Sequence, residues 1–289
     1  FYYLKTHPKY KNLKMGLVYS NPAMRNVIQQ VFAHTPGLRK KDVIAPVDVT
    51  KHHYDIIICD EAQRLRQAKN IGRYIVHFKK GNERLHIDNS HDELDWLLLN
   101  ADRLILFYDP KQIVCPSDIS QIKFDGRLKD RKRGIRPVEL KEQMRIHAGS
   151  QYVPYIYNIL FQKNNISKKF ANYDFKLFSS FQDMWNALQE KEAAVKLCRF
   201  CSGYGWPWIS KEDSKKPDIW LESHGIWWNQ QTDGWLQNPE AKLEMGSIYS
   251  LAGLDINYAA VIIGPDLIYD IKDQKIKANR QNYFDNKVK

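Results

Sequence analysis

The sequence predicts an α/β protein built on mostly parallel central sheets. Three observations carry this. The run YDIIICDEAQRL, Tyr54–Leu65, brings apolar Ile56–Cys59 straight into two carboxylates. A second unbroken apolar run, Ala259–Gly264 in NYAAVIIGPDL, lies near the far end of the chain. Between and before them, strand-like runs alternate with stretches of helical periodicity. Short continuous apolar runs suit strands buried on both faces. A βαβ rhythm suits a parallel sheet.

Taken in order, Phe1, Tyr2, Tyr3 and Leu4 read as the end of an amphipathic helix closed by His7-Pro8. Met15–Ser20 reads as a strand. Pro22–Phe32 reads as a helix with Asn21 as its cap and Pro22 in its first turn. Asp55–Cys59 is the buried strand, Asp92–Asn100 a helix with Leu94, Leu97 and Leu98 on one side, and Leu104–Tyr108 the next strand. The charged run Lys129–Arg136 reads as a linker or surface loop. This gives a first domain of residues 1–136 and a second of 137–289. In the second, a helix is expected over Gln151–Phe161, strand–helix candidates over Phe175–Gln189 and Ala193–Cys198, and a buried central strand over Ala259–Gly264. Six of the eight tryptophans lie between Trp206 and Trp235. Exposed, they would stack on bases; buried, they would build core or hairpin.

Composition narrows the function. The 289 residues carry a formal net charge of +11, which favours a polyanionic partner such as nucleic acid. Four cysteines are few for this length and point to a reducing, cytoplasmic setting. Cys198 and Cys201 form a CxxC with no second pair, a weak zinc signal. No apolar stretch approaches the ~20 residues needed to span a membrane, so no membrane partner is expected.

Asp60 and Glu61 fall at the carboxyl end of a predicted parallel strand, where such sheets bind ligands. Nucleotide hydrolysis uses this pair. One carboxylate holds Mg²⁺ and the next orients or deprotonates the attacking water. This is a Walker B reading, with ATP and Mg²⁺ as the implied cofactors. The alternative is a solvated acidic turn. The phosphate-cradling string G-x-x-x-x-G-K-[ST] occurs nowhere in the chain, and the expectation is that it lies upstream of Phe1. Downstream, Gln112 in Asp109-Pro110-Lys111-Gln112 can sense a γ-phosphate or be a turn residue. Arg145, in the L-x-x-Q-M-R run of Leu140–Arg145, can act as an arginine finger or sit in a surface ion pair. Gly253 and Asp255, in IYSLAGLDINY, can meet ribose and phosphate or form a tight turn.

Singly these motifs are weak; their order carries the case. The series resembles the superfamily 1 helicases. More closely, it resembles the Schlafen group 3-like DNA/RNA helicase domain, over nearly the whole chain. The resemblance rests on Tyr19–Arg25, Asp60–Leu65, Leu140–Arg145, SGYGWPW at Ser202–Trp208, and Ala252–Leu267. It implies two RecA-like P-loop NTPase domains. It further implies Asp60 on Mg²⁺, Glu61 as general base and Gln112 and Arg145 at the transferring phosphoryl. Gln143, Gly253 and Asp255 would contact nucleotide. Ser20 and Asn21 would contact DNA or RNA, with a single strand as the expected form. It leaves room for a fused or associated nuclease domain. The chain departs from the family pattern in four places. Ala252 replaces a polar residue, Asp255 is an acid shorter by one methylene, Asn257 replaces an acid, and Gly205 stands at a cysteine position. The family's final arginine-bearing motif would fall beyond Lys289. The implied activity is an ATP-dependent helicase or translocase core, inactive as this fragment alone. The alternative is a nucleotide-gated sensor or scaffold that unwinds nothing.

Overall fold

The computed structural model describes residues 1–129, 134–140, 144–161, 168–230, 234–236, 238, 240–241 and 244–285. The chain divides into two compact units, Phe1–Ile135 and Arg136–Asp285. The division falls within the charged run read as a linker.

The first unit runs α1 (Tyr2–Thr6), β1 (Met15–Val18), α2 (Pro22–His34), β2 (Val43–Ile44), α3 (Pro46–Val49), β3 (Tyr54–Cys59), α4 (Ile75–Arg84), α5 (Glu93–Leu99), β4 (Ala101–Leu106) and α6 (Gln121–Lys129). Its four strands form one sheet in the order β2-β1-β3-β4, every pair parallel. Alternate residues face opposite sides. Leu17, Ile56 and Ile58 pack with Val43 and Phe32 on one face. Val18, Ile57 and Cys59 pack with Leu94, Leu97 and Leu98 on the other. Both faces of β1 and β3 are therefore covered, which explains their unbroken apolar runs. Asn21 caps α2 as expected, its Oδ1 accepting from Ala23 N at 3.0 Å. Asp92 caps α5, accepting from the amides of Leu94 and Asp95, while Asp95 accepts from Asp92 N. Strand β4 begins three residues before its expected start. It is an edge strand, so its outer positions, Arg103 and Ile105, are exposed.

The second unit contains α7 (Tyr152–Phe161), α8 (Phe181–Val195), β5 (Cys198–Ser202), β6 (Ile219–Leu221), β7 (His224–Trp228), β8 (Glu244–Gly246), α9 (Ile248–Leu251), β9 (Tyr258–Ile262), β10 (Leu267–Asp270) and β11 (Lys275–Ala278). Five strands form a sheet in the order β6-β7-β8-β5-β9; β10 and β11 make a separate hairpin. The β6–β7 pair is antiparallel and the other three pairs in the sheet are parallel. Helix α8 lays Phe181 and Leu188 against Phe200, Ile226, Trp228, Met245 and Ala260.

Three expectations change here. Residues 174–179 are irregular, and α8 alone occupies most of the first strand–helix candidate. Ala193–Cys198 spans the end of α8 and the first residue of β5. The run AAVIIG was expected to be a buried central strand, yet β9 lies at the sheet edge with Val261 63% exposed. An unbroken apolar run records the chemistry of both faces, not whether both are covered. The tryptophans divide as well. Trp228 and Trp235 are core, whereas Trp208 and Trp220 are exposed. Cys198 and Cys201 sit three positions apart on β5 and so point to opposite faces of the strand.

Candidate functional site

In the first unit, register brings the expected residues together. Val18 pairs with Cys59, and Cys59 with Leu106, so β1, β3 and β4 end at one level. Ser20, Asp60, Glu61 and the Asp109–Gln112 turn all follow those ends directly. The backbone locks the exits: Asp60 N donates to Val18 O (3.2 Å), Phe107 N to Cys59 O (2.9 Å) and Ala62 N to Phe107 O (2.7 Å).

Asp60 is half-buried, and each carboxylate oxygen has a donor. Oδ1 accepts from Glu61 N at 3.0 Å. Oδ2 accepts from the Tyr19 hydroxyl at 2.8 Å. Burial first, then the adjacent Asp60 charge, push the Tyr19 phenol above its ordinary range, so it stays a donor. Glu61 holds a left-handed backbone, φ 52°. A non-glycine residue there stores strain, and such strain clusters at functional sites. The Glu61 carboxylate accepts from Gln63 Nε2 at 2.5 Å. Gln63 is 1% exposed, and its Oε1 accepts from Asp109 N at 3.1 Å. Asp109 in turn accepts from Gln112 Nε2 at 2.8 Å. A continuous chain of hydrogen bonds thus joins Glu61 to the exposed Gln112. Ser20 is buried, and its hydroxyl has no partner among the described residues. The Asn21 side-chain oxygen accepts from the α2 amide of Ala23.

A second brace holds the chain after Glu61. Arg66 N donates to Glu93 Oε2 (2.7 Å), Tyr74 OH donates to Glu93 Oε1 (2.7 Å), and Glu93 N donates to Arg66 O (3.1 Å). Arg66 also lies over the Tyr74 ring, 4.3 Å from its centroid. Burial raises the Glu93 carboxyl to about 7, against the opposing pull of Arg66 and the two donors.

The expected residues of the second unit are looser. Arg145 is exposed on irregular chain, and Gln143 lies outside the described residues. Gly253 has φ +83°, a value that favours glycine, so the predicted tight turn is present. Asp255 is exposed on the same turn. Asn257 is structural. Its amide donates to Val195 O and Lys196 O, both at 3.0 Å, closing the end of α8 where Lys196 and Leu197 have positive φ. A carboxylate could not donate there. The Ser202–Trp208 and Ala252–Leu267 signatures meet around Asp266. A Cβ on Gly203 would lie 2.6 Å from Asp266 Oδ2 and one on Gly205 2.7 Å from Oδ1, while Trp206 covers Gly264. Burial raises the Asp266 carboxyl. A side chain at 205 would therefore require the Asp266 carboxylate to shift.

Sequence reasoning missed Tyr19, Gln63 and Glu93. The glutamine of DEAQ was in view, but its link to Asp109 spans 46 positions. Among the described residues, no group of three or more His, Cys, Asp or Glu could hold a metal ion, and no helix is long and apolar enough to cross a membrane. A Mg²⁺ site of the nucleotide-binding kind needs only one or two carboxylates, phosphate and water. Asp60 fits that role, since two fixed donors orient its carboxylate and leave lone pairs available.

Fold and strand-end chemistry define an α/β protein whose parallel strands present paired acids at their carboxyl ends. The chain belongs to the Schlafen group 3, DNA/RNA helicase domain family, whose profile matches residues 2–289. It is also similar to a Saccharomyces cerevisiae protein named "Uncharacterized protein YPL245W", at 28% identity over 277 residues, covering 86% of this chain. The match takes in 55% of that relative, so the chain spans about half the relative's length. No solved structure matches the chain.

Proposed function

We propose that this chain is the core of an ATP-dependent, nucleic-acid-responsive NTPase. Its units, 1–136 and 137–289, would be a RecA-like pair. The supporting observation is the acid pair after β3, with Asp60 braced by Tyr19 and Glu61 by Gln63. Asp60 would hold Mg²⁺. When bound, that ion would offset charge on phosphate oxygens. Glu61 would take a proton from the attacking water, and Gln63 would aim its carboxylate. Gln112 would read the γ-phosphate from the other end of the hydrogen-bond chain. Arg145 would offset developing charge, with Gln143, Gly253 and Asp255 contacting nucleotide. Ser20, whose hydroxyl is unspent, and the Asn21 backbone would meet single-stranded DNA or RNA.

These residues supply the metal-and-water half of such a site. No G-x-x-x-x-G-K-[ST] string is present in the 289 residues, so turnover requires a phosphate cradle from elsewhere. The test is ATP hydrolysis by protein with a complete nucleotide site, with and without single-stranded DNA or RNA. Glu61→Gln is expected to cut polymer-stimulated turnover by about 100-fold or more. Undiminished turnover would remove Glu61 from the mechanism. The second reading, a nucleotide-gated sensor that unwinds nothing, gains support from Ala252, which stands where the resemblance implies a polar residue. Directional strand displacement separates the two.

A further inference from the structure

The outward face of the β6–β7 hairpin carries an aromatic platform that the strand-end site does not use. Trp220 sits mid-strand on β6 and is 64% exposed. It pairs directly with Gly225 on β7, so both point to one face, as does Trp227 two residues on. The opposite face of the hairpin, Ile219, Ile226 and Trp228, is buried in the core. With no side chain on Gly225, the Trp220 indole reaches across it: a Cβ there would lie 3.2 Å from the ring. An aromatic laid over a cross-strand glycine is a known way to cover exposed backbone. That use occupies part of the ring and leaves the rest open to solvent.

The flanking loop adds charge to the same face. Pro217 packs on Gly225, its Cγ 2.8 Å from the Cβ position, and Ser214 O accepts from Trp227 Nε1 at 3.0 Å. Lys215 and Lys216 are carried between those two anchors and are exposed. Lys216 pairs with Asp213 at 3.2 Å across solvent, an arrangement that exchanges readily for a phosphate. The face therefore joins flat aromatic rings to two lysines.

We infer that the Trp220–Gly225 face of this hairpin is a stacking platform for unpaired bases of single-stranded nucleic acid, with Lys215 and Lys216 on the adjoining phosphates. The inference rests on the nucleic-acid reading above and names a surface for it. Charge and shape favour a nucleic acid over a protein. The outward strand positions hold two tryptophans and a glycine, with no aliphatic side chain to fill a protein pocket, and the chain as a whole carries +11. Stacking on one exposed ring is sequence-tolerant, because every base offers a π-face.

The test is fluorescence anisotropy with labelled 20-nucleotide oligo(dT) and oligo(rU) on the 289-residue chain. Trp220→Ala is expected to weaken binding about tenfold, with Trp220→Phe recovering part of the loss. Lys215→Glu with Lys216→Glu is expected to weaken binding and lower the salt slope by about 2. Circular dichroism and thermal melts check that each variant folds. Wild-type binding that survives both the Trp220 and lysine changes in folded variants overturns the platform and leaves the nucleic-acid reading standing. If the wild type binds neither polymer, that reading fails and the platform with it. Loss of self-association in Trp220→Ala, with oligonucleotide binding intact, makes the face a protein interface and also overturns the proposal.

Discussion

The two units hold their candidate residues in different ways. In the first, every implied group follows the end of a parallel strand, and a neighbour fixes each acid. Tyr19 and the Glu61 amide hold Asp60, Gln63 holds Glu61, and Glu93 ties down Arg66 just beyond. In the second, Arg145, Gly253 and Asp255 lie exposed on turns and irregular chain, although the sheet beside them is well packed. A strand exit in a parallel sheet comes with register, and register supplies cross-braces. A turn or irregular segment brings no such strand register to its residues. The candidate residues of the first unit are thus cross-braced by the sheet, and those of the second lie outside its strands.

If the first unit's bracing is a real energetic feature, its most buried member should dominate the pH dependence of stability. Glu93 has a folded-state pKa near 7 against an ordinary value of 4.5. Between those limits the native state keeps a proton that the unfolded chain has lost. Stability therefore falls as pH rises from about 4.5 to about 7, and the loss then stays constant. The total is on the order of 3 kcal/mol. Urea midpoints at pH 5 and pH 8 should show this slope in the wild type and not in Glu93→Gln. An equal slope in both proteins would place the proton elsewhere and weaken the contrast between the units.

The second unit has one well-anchored residue in its variable turn, and the contrast sharpens if that residue is structural. Asn257→Asp sets a carboxylate against the carbonyls of Val195 and Lys196. The expected loss is about 1 kcal/mol at pH 7, since the site is exposed. The new acid would have a raised folded pKa, so stability should recover as pH falls towards 4.5. A melting temperature lowered equally at both pH values would mean that the amide's donated bonds matter and the charge does not.

Much of this was legible in the chain, for local reasons. The β3 run and its acids are adjacent in sequence, so both strand and site could be read together. The α2 and α5 caps are encoded within three residues of each helix start. What escaped was non-local or too short. Strand β2 has only two residues, and its place in the sheet comes from pairing with β1. The Tyr19–Asp60 bond spans 41 positions, and the glycine cradle of Asp266 joins motifs some sixty residues apart. The edge position of β9 was hidden because edge and centre differ in what covers a face, and apolar sequence is the same in both.

A third effect, no larger, is also the most specific probe of preorganisation. Tyr19→Phe removes one hydroxyl and keeps the ring. It leaves Asp60 Oδ2 without its donor while Oδ1 still accepts from Glu61 N. A bond to a charged partner at a half-buried site contributes about 1 kcal/mol net, or roughly fivefold in an equilibrium constant. If Asp60 holds Mg²⁺, that loss should appear in metal dependence. The Mg²⁺ concentration for half-maximal ATP turnover should rise about fivefold, with turnover at saturating Mg²⁺ close to wild type. A lower plateau with unchanged Mg²⁺ dependence would mean that Tyr19 serves the chemistry and leaves the ion's carboxylate unaffected. The β1 brace would then support the strand end rather than aim the acid.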